Sequence, residues 1–183
     1  MFKHLFGSAA RINRAIANSI YDRIVAAARQ PEYYSAMEVP DTPLGRFEML
    51  SLHMFLYLHR MRGETGAAVD LAQEVIDMFF QDVDHSLREL GIGDISIPKR
   101  MKKFAKMFYG RVASYGEALD NGDSAALAAA LARNVRPQVG NWTGAQELAA
   151  RVEAMHVRLK AQPVGGILQG RLDFGSGQPE QSP

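Results

Sequence analysis

The sequence predicts an all-α fold: a single helical domain of about six helices over residues 1–161, followed by a flexible tail over 162–183. Three observations predict it. Apolar residues recur at three- and four-residue spacing between the prolines and glycines, as in Ile12, Ile16, Ile20 and Ile24. Helix-starting pairs such as Thr42 and Pro43, and helix-closing glycines such as Gly91, stand where these patterns begin and end. No stretch alternates apolar with polar residues for long enough to make a sheet strand, and no internal repeat is visible.

Met1 to Gly7 is a short amphipathic tip, long enough to touch a membrane surface but too short to bury much. The isoleucine repeat then predicts a first helix from Ala9 to Gln30. Its Arg-rich start resembles a targeting peptide, but the pattern runs on without a break, which favours a folded helix. Pro31, Pro40 and Pro43 bracket a loop with one helical turn at Glu32 to Ala36. From Pro43 to Arg62 the apolar residues lie nearly all round the helix, which predicts the central core element. The sharper alternative is that its surplus, in particular Leu52, Met54, Phe55 and Leu56, forms a surface for an apolar client. Thr65 opens a helix to Leu90. After the basic helix described next, Asp123 caps an alanine-rich helix to Arg136, Pro137 to Gly144 is a loop holding Trp142, and a last helix ends near Lys160. The Gly-, Pro- and Gln-rich stretch from Gln162 predicts disorder, with LQGRLDF able to dock.

The organising stretch is Asp82 to Arg111. Gly91 and Gly93 break one helix, Asp94 or Ser96 can cap the next, and Pro98 suits its first turn. Asp82, Gly91, Gly93 and Asp94 are therefore expected to build a structural corner. Asp82 falls at the edge of an apolar stripe and needs a partner, for which a lysine or arginine of the following helix is the nearest candidate. In that helix Met101, Phe104, Phe108, Val112 and Tyr115 share one side, while Lys99, Lys102, Lys103 and Lys106 share the other with no acidic residue before Glu117. Together with Arg100 and Arg111, these lysines are the candidate partner-binding face, a surface for an anionic neighbour; the plainer alternative is a solvated face that pairs with the preceding acidic helix.

Composition excludes several classes. The chain of 183 residues has no cysteine, so disulfides, thiolate metal sites and thiol nucleophiles are ruled out. Its net charge is +1, so any preference for a polyanion must come from local asymmetry. No apolar run reaches the roughly 18 residues of a membrane span, which predicts a soluble protein. Glu153 with His156 and Asp82 with His85 have the spacing of helical metal ligands, but a di-iron bundle needs further inward glutamates that the pattern does not supply. No Walker loop, dinucleotide fingerprint or nucleophile elbow occurs. No catalytic residue, cofactor or metal is expected.

The run from Asp82 through Asp84, Leu87, Arg88, Glu89, Gly91, Gly93 and Asp94 to Lys99, Arg100, Lys102, Lys103 and then Phe108, Tyr109, Gly110 and Arg111 resembles the signature region of the ubiquinol-cytochrome c chaperone family. PDTPLGRFEMLSLHMFLYLHR resembles that family's first block, and the likeness is strongest over residues 28–121. The resemblance implies a non-enzymatic assembly factor for the cytochrome bc1 complex. It also implies newly made cytochrome b or another bc1 subunit as partner, a small partner protein, and a ribosome contact near the exit tunnel, with no DNA partner. The implied location is the cytoplasm beside the inner membrane, or the mitochondrial matrix in a eukaryote, where peripheral membrane contact is open to it. The alternative from the residues is a nucleic-acid- or ribosome-binding module using the lysine face, without a dedicated membrane-protein client.

Overall fold

A helix that is apolar on every side has only the interior to go to, and the segment from Pro43 to Met61 takes that place. In this computed structural model, residues 3–175 are described, with side chains from Asn13 onward. In chain order the helices are α1 (Lys3–Ala28), α2 (Pro31–Ser35), α3 (Pro43–Met61), α4 (Ala67–Glu89), α5 (Ile97–Asp120), α6 (Ser124–Val135), α7 (Gly144–Ala161) and α8 (Val164–Ile167). There is no strand among the described residues. α3 touches α1, α4, α5, α6 and α7, and Phe55 of α3, Phe79 of α4, Phe108 of α5, Leu131 of α6 and Leu148 of α7 are all fully buried in the shared core.

The local signals act as expected at several ends. Thr42 accepts a hydrogen bond from the Gly45 amide at 3.1 Å, and Asp123 does the same for Ala126 at 2.8 Å. α4 closes on a left-handed Gly91 with φ 77°. The Gly91 amide donates to the Arg88 carbonyl and the Ile92 amide to the Leu87 carbonyl, the two bonds of a Schellman motif. Gly93 differs: its φ is not positive, and a Cβ there would meet nothing within 4 Å. Only one of the two corner glycines is thus required by the backbone. Ser96 stands at the start of α5 without a side-chain cap bond, and Asp94 is engaged by Arg88 instead. Neither caps the helix as expected.

Two expectations about burial need correction. Leu52, Met54, Phe55 and Leu56 are buried in the core, because α3 is wrapped on all sides by other helices; they do not form a client surface. The stretch after Gln162 is packed as far as Gly175 rather than free. Ile167, Leu172 and Phe174 are buried, and the segment is fastened by polar bonds. Ser19 Oγ donates to the Gly170 carbonyl at 3.2 Å, the Gln162 side-chain oxygen accepts from the Asp173 amide at 3.0 Å, and Arg158 Nε pairs with Asp173 at 2.8 Å. Three apolar anchors override the disorder that composition predicts, and two of them, Leu172 and Phe174, lie in the LQGRLDF stretch read as able to dock. The side chains of the amphipathic tip at Met1 to Gly7 lie outside the described residues.

Candidate functional site at the α4–α5 corner

The corner turns the chain back over the start of α3, and between them lies an open cleft of about 670 Å³. Its walls come from the end of α1, Tyr34 of α2, the Asp41–Phe47 stretch, the end of α4 and the first turns of α5. The apolar lining is Phe47, Leu50, Val83, Leu87 and Phe104, stiffened by an edge contact of Phe47 on Phe104 with ring centres 4.6 Å apart. Leu44 and Leu90 also line it and are 50% and 59% exposed.

The polar lining is unevenly paired. Arg46 holds Asp41 at 2.7 Å, and that hydrogen bond keeps the Asp41 carboxyl below its ordinary value. Asp82 accepts a hydrogen bond from the Tyr21 hydroxyl at 2.7 Å; burial first, then Asp82, raises the tyrosine's pKa. The expected cationic partner for Asp82 is therefore replaced by a neutral donor from α1, a residue 61 positions away that no local pattern could point to. Arg29 and Arg100 line the same cleft and make no ion pair among the described residues.

Beside the cleft the cations of α5 divide. Lys99, Arg100, Lys102, Lys103 and Lys106 are exposed, and no described carboxylate pairs with them. The acidic residues of α4 are occupied elsewhere: Asp84 by Arg88 at 2.7 Å and Glu89 by His85 at 3.2 Å. Arg111, expected on the same face, is buried. On a wheel at about 100° per residue it lies roughly 120° from Lys99, over the inner side. Its Nε donates to Glu48 at 2.5 Å, Nη2 donates to the other carboxylate oxygen, and Nη1 donates to the Met107 carbonyl at 2.8 Å. Burial pushes the Glu48 carboxyl up, against the pull of Arg111. This pair fixes α5 on α3 beneath the cleft; it belongs to the support, not to the presented face.

The two carboxylate–histidine spacings do not converge on one point. Asp82 is bound by Tyr21 and His85 by Glu89, while Glu153 accepts from Ser124 and His156 packs against His59 with ring centres 5.0 Å apart. Among the described residues no three ligating side chains gather, and no helix is long and apolar enough to cross a membrane.

Fold and site define an all-helical protein with an open, apolar-floored cleft and a basic helix face next to it. The chain belongs to the ubiquinol-cytochrome C chaperone family, matching it over residues 35–174, a span that takes in the basic helix, the packed segment near the C-terminus and the cleft walls other than the end of α1 and Tyr34. It is similar to the crystal structure of the Cbp3 homolog from Brucella abortus, with 52% identity and a TM-score of 0.88 over 97% of this chain and 100% of the other. Among relatives, the ubiquinol-cytochrome-c reductase complex assembly factor 1 of Xenopus laevis is 28% identical over 104 residues, covering 57% of this chain and 52% of that protein. The human protein of that name is 26% identical over 111 residues, covering 59% of this chain and 37% of its own length. The chain thus spans about half or less of the curated relatives it matches.

Proposed function

We propose that this protein is an assembly chaperone for the cytochrome bc1 complex, holding an apolar segment of newly made cytochrome b in the corner cleft until that subunit is taken up. Membership of the family supports the class of function, and the cleft is the observation that carries the mechanism. A membrane-protein segment in water must cover apolar side chains, and this cleft offers an aromatic and aliphatic floor with two exposed leucines at Leu44 and Leu90. Its volume suits a few side chains rather than a whole span, and such a partial grip releases its client readily. Arg29 and Arg100 supply hydrogen-bond donors for the carbonyls or carboxylates of the bound segment. The role is binding rather than catalysis, carried out at the cytoplasmic side of the inner membrane, or at its matrix side in a mitochondrion.

The test is Leu44→Lys with Leu90→Lys. Both positions are exposed, so each substitution shifts stability by only about 0.5 kcal/mol. Cells whose only copy is this variant should contain the folded protein at the parental level, yet show faster loss of labelled cytochrome b and less assembled bc1 complex. Normal cytochrome b lifetime and normal bc1 content with the folded variant would overturn the assignment of the cleft.

A further inference from the structure

We propose that the α4–α5 corner is a docking surface for an anionic phospholipid bilayer, with Ile95 entering the headgroup layer and Lys99, Lys102, Lys103 and Lys106 set against lipid phosphates. Ile95 is 99% exposed. A β-branched aliphatic side chain standing wholly in water gains nothing for the fold and gains free energy only by entering an apolar phase. It is also held in place: the Ser96 amide donates to Gly93 at 2.8 Å and the Ile97 amide to Asp94 at 3.3 Å, so two successive turns fix the tip, and Ile97 beside it is buried.

The surroundings select the kind of surface. On the α5 wheel the four lysines fall within an arc of about 100°, whose continuation holds only Gly110 and Ala113 before Glu117. Tyr109, at the edge of that arc, is 54% exposed and has the amphipathic ring that suits a membrane interface. The carboxylate on the tip, Asp94, is paired with Arg88, Glu89 faces His85 at 3.2 Å, and Asp84 shares Arg88, so the three anions that precede the tip most closely in sequence each have a partner. Lysines with an aliphatic wedge match an anionic bilayer. Single-stranded RNA is met instead by aromatic or arginine planes that stack on bases, and an isolated isoleucine has no partner there. Arg100 and Phe104, on the inner side of the same helix, line the cleft; docking by the lysine side leaves the cleft open beside the membrane. The inference stands on the exposure and charge of the corner and does not depend on which client the cleft holds.

Vesicle co-sedimentation tests it, using vesicles of phosphatidylcholine alone and of phosphatidylcholine with phosphatidylglycerol in equal parts. The intact protein should bind the second and not the first, with binding that falls as salt is raised. Each Lys→Gln change should weaken binding about fivefold, and the four together should reduce it to background. Ile95→Ser should weaken it roughly fivefold while leaving circular dichroism and the salt dependence unchanged. In a third variant, Ile95→Trp, the added indole should shift its emission to the blue only with the anionic vesicles. No binding to anionic vesicles, or binding indifferent to Ile95→Ser, overturns the proposal. So does lysine-dependent binding to an RNA oligonucleotide without vesicle binding, which would assign the face to nucleic acid.

Discussion

Arg111 and the lysines from Lys99 to Lys106 belong to one uninterrupted run of cations on α5 and have opposite fates. The arginine is buried, doubly bonded to Glu48 and bonded again to the Met107 carbonyl. The lysines stand in water without a described partner. Charge of one sign on one helix therefore does two jobs, decided by a rotation of roughly a third of a turn. A guanidinium can satisfy several acceptors at once in a fixed plane, which suits a buried site; lysine's flexible stem and hydrated ammonium suit the outer face.

The most disruptive way to break this contrast is Arg111→Ala. It leaves Glu48 buried without a cation, and loss of one partner of a buried pair costs about 3–5 kcal/mol. A denaturant titration reads it, and Glu48→Leu with Arg111→Met should recover much of the loss because the site then closes on apolar groups. A loss below about 1 kcal/mol for Arg111→Ala would place this arginine with the lysines after all.

The buried side can be sharpened next through His53. Burial holds its pKa at about 4, below the ordinary 6.5. Nδ1 donates to the Met49 carbonyl at 2.8 Å, and Nε2 accepts from the Tyr33 hydroxyl at 3.1 Å. The folded state binds this proton less readily than the unfolded chain does, so the stability it contributes is present above pH 6.5 and is lost as pH falls toward 4. The full loss is about 3 kcal/mol. His59 and His156, depressed chiefly by burial, act in the same direction. In urea titrations across that range His53→Gln should show a flatter acid decline than the parent; equal slopes would mean that His53 binds its proton as readily in the folded state as in the unfolded chain.

The smallest effect lies at the corner that separates the packed end of the chain from the presented one. Gly91→Val forces a branched residue to φ 77° and should cost about 1–2 kcal/mol. Gly93→Ala should change stability by less than about 0.5 kcal/mol, since space is open there and φ is ordinary. Thermal melts of the two variants that coincide would show that the Schellman turn does not set the corner.

Features written within a few residues of one another were legible in the sequence. The six long helices, the Thr42 and Asp123 caps and the left-handed Gly91 each depend on near neighbours. What escaped depends on distance. Glu48 and Arg111 are 63 positions apart, and Tyr21 and Asp82 are 61 apart; neither periodicity nor spacing links them. The cleft draws on five separate stretches, so no single run of the sequence announces it. Leu52, Met54, Phe55 and Leu56 misled for a related reason. An excess of apolar residues says that a helix is covered, and in this molecule α1, α4, α5, α6 and α7 do the covering.

The packed segment after Gln162 bears on the order in which the molecule is completed. Ser19 of α1 bonds to Gly170, 151 positions later, and Arg23 Nη1 reaches the Leu172 carbonyl at 3.5 Å, 149 positions later. During synthesis, the first long helix to emerge must wait for nearly the last described residues before its final bonds can form. Contacts of such sequence separation are slow to close, and the faces they cover stay open to the surroundings in the meantime. The side of α1 around Ser19 and Arg23 is thus completed last, after α3 and α4 have been made and can pack against the same helix.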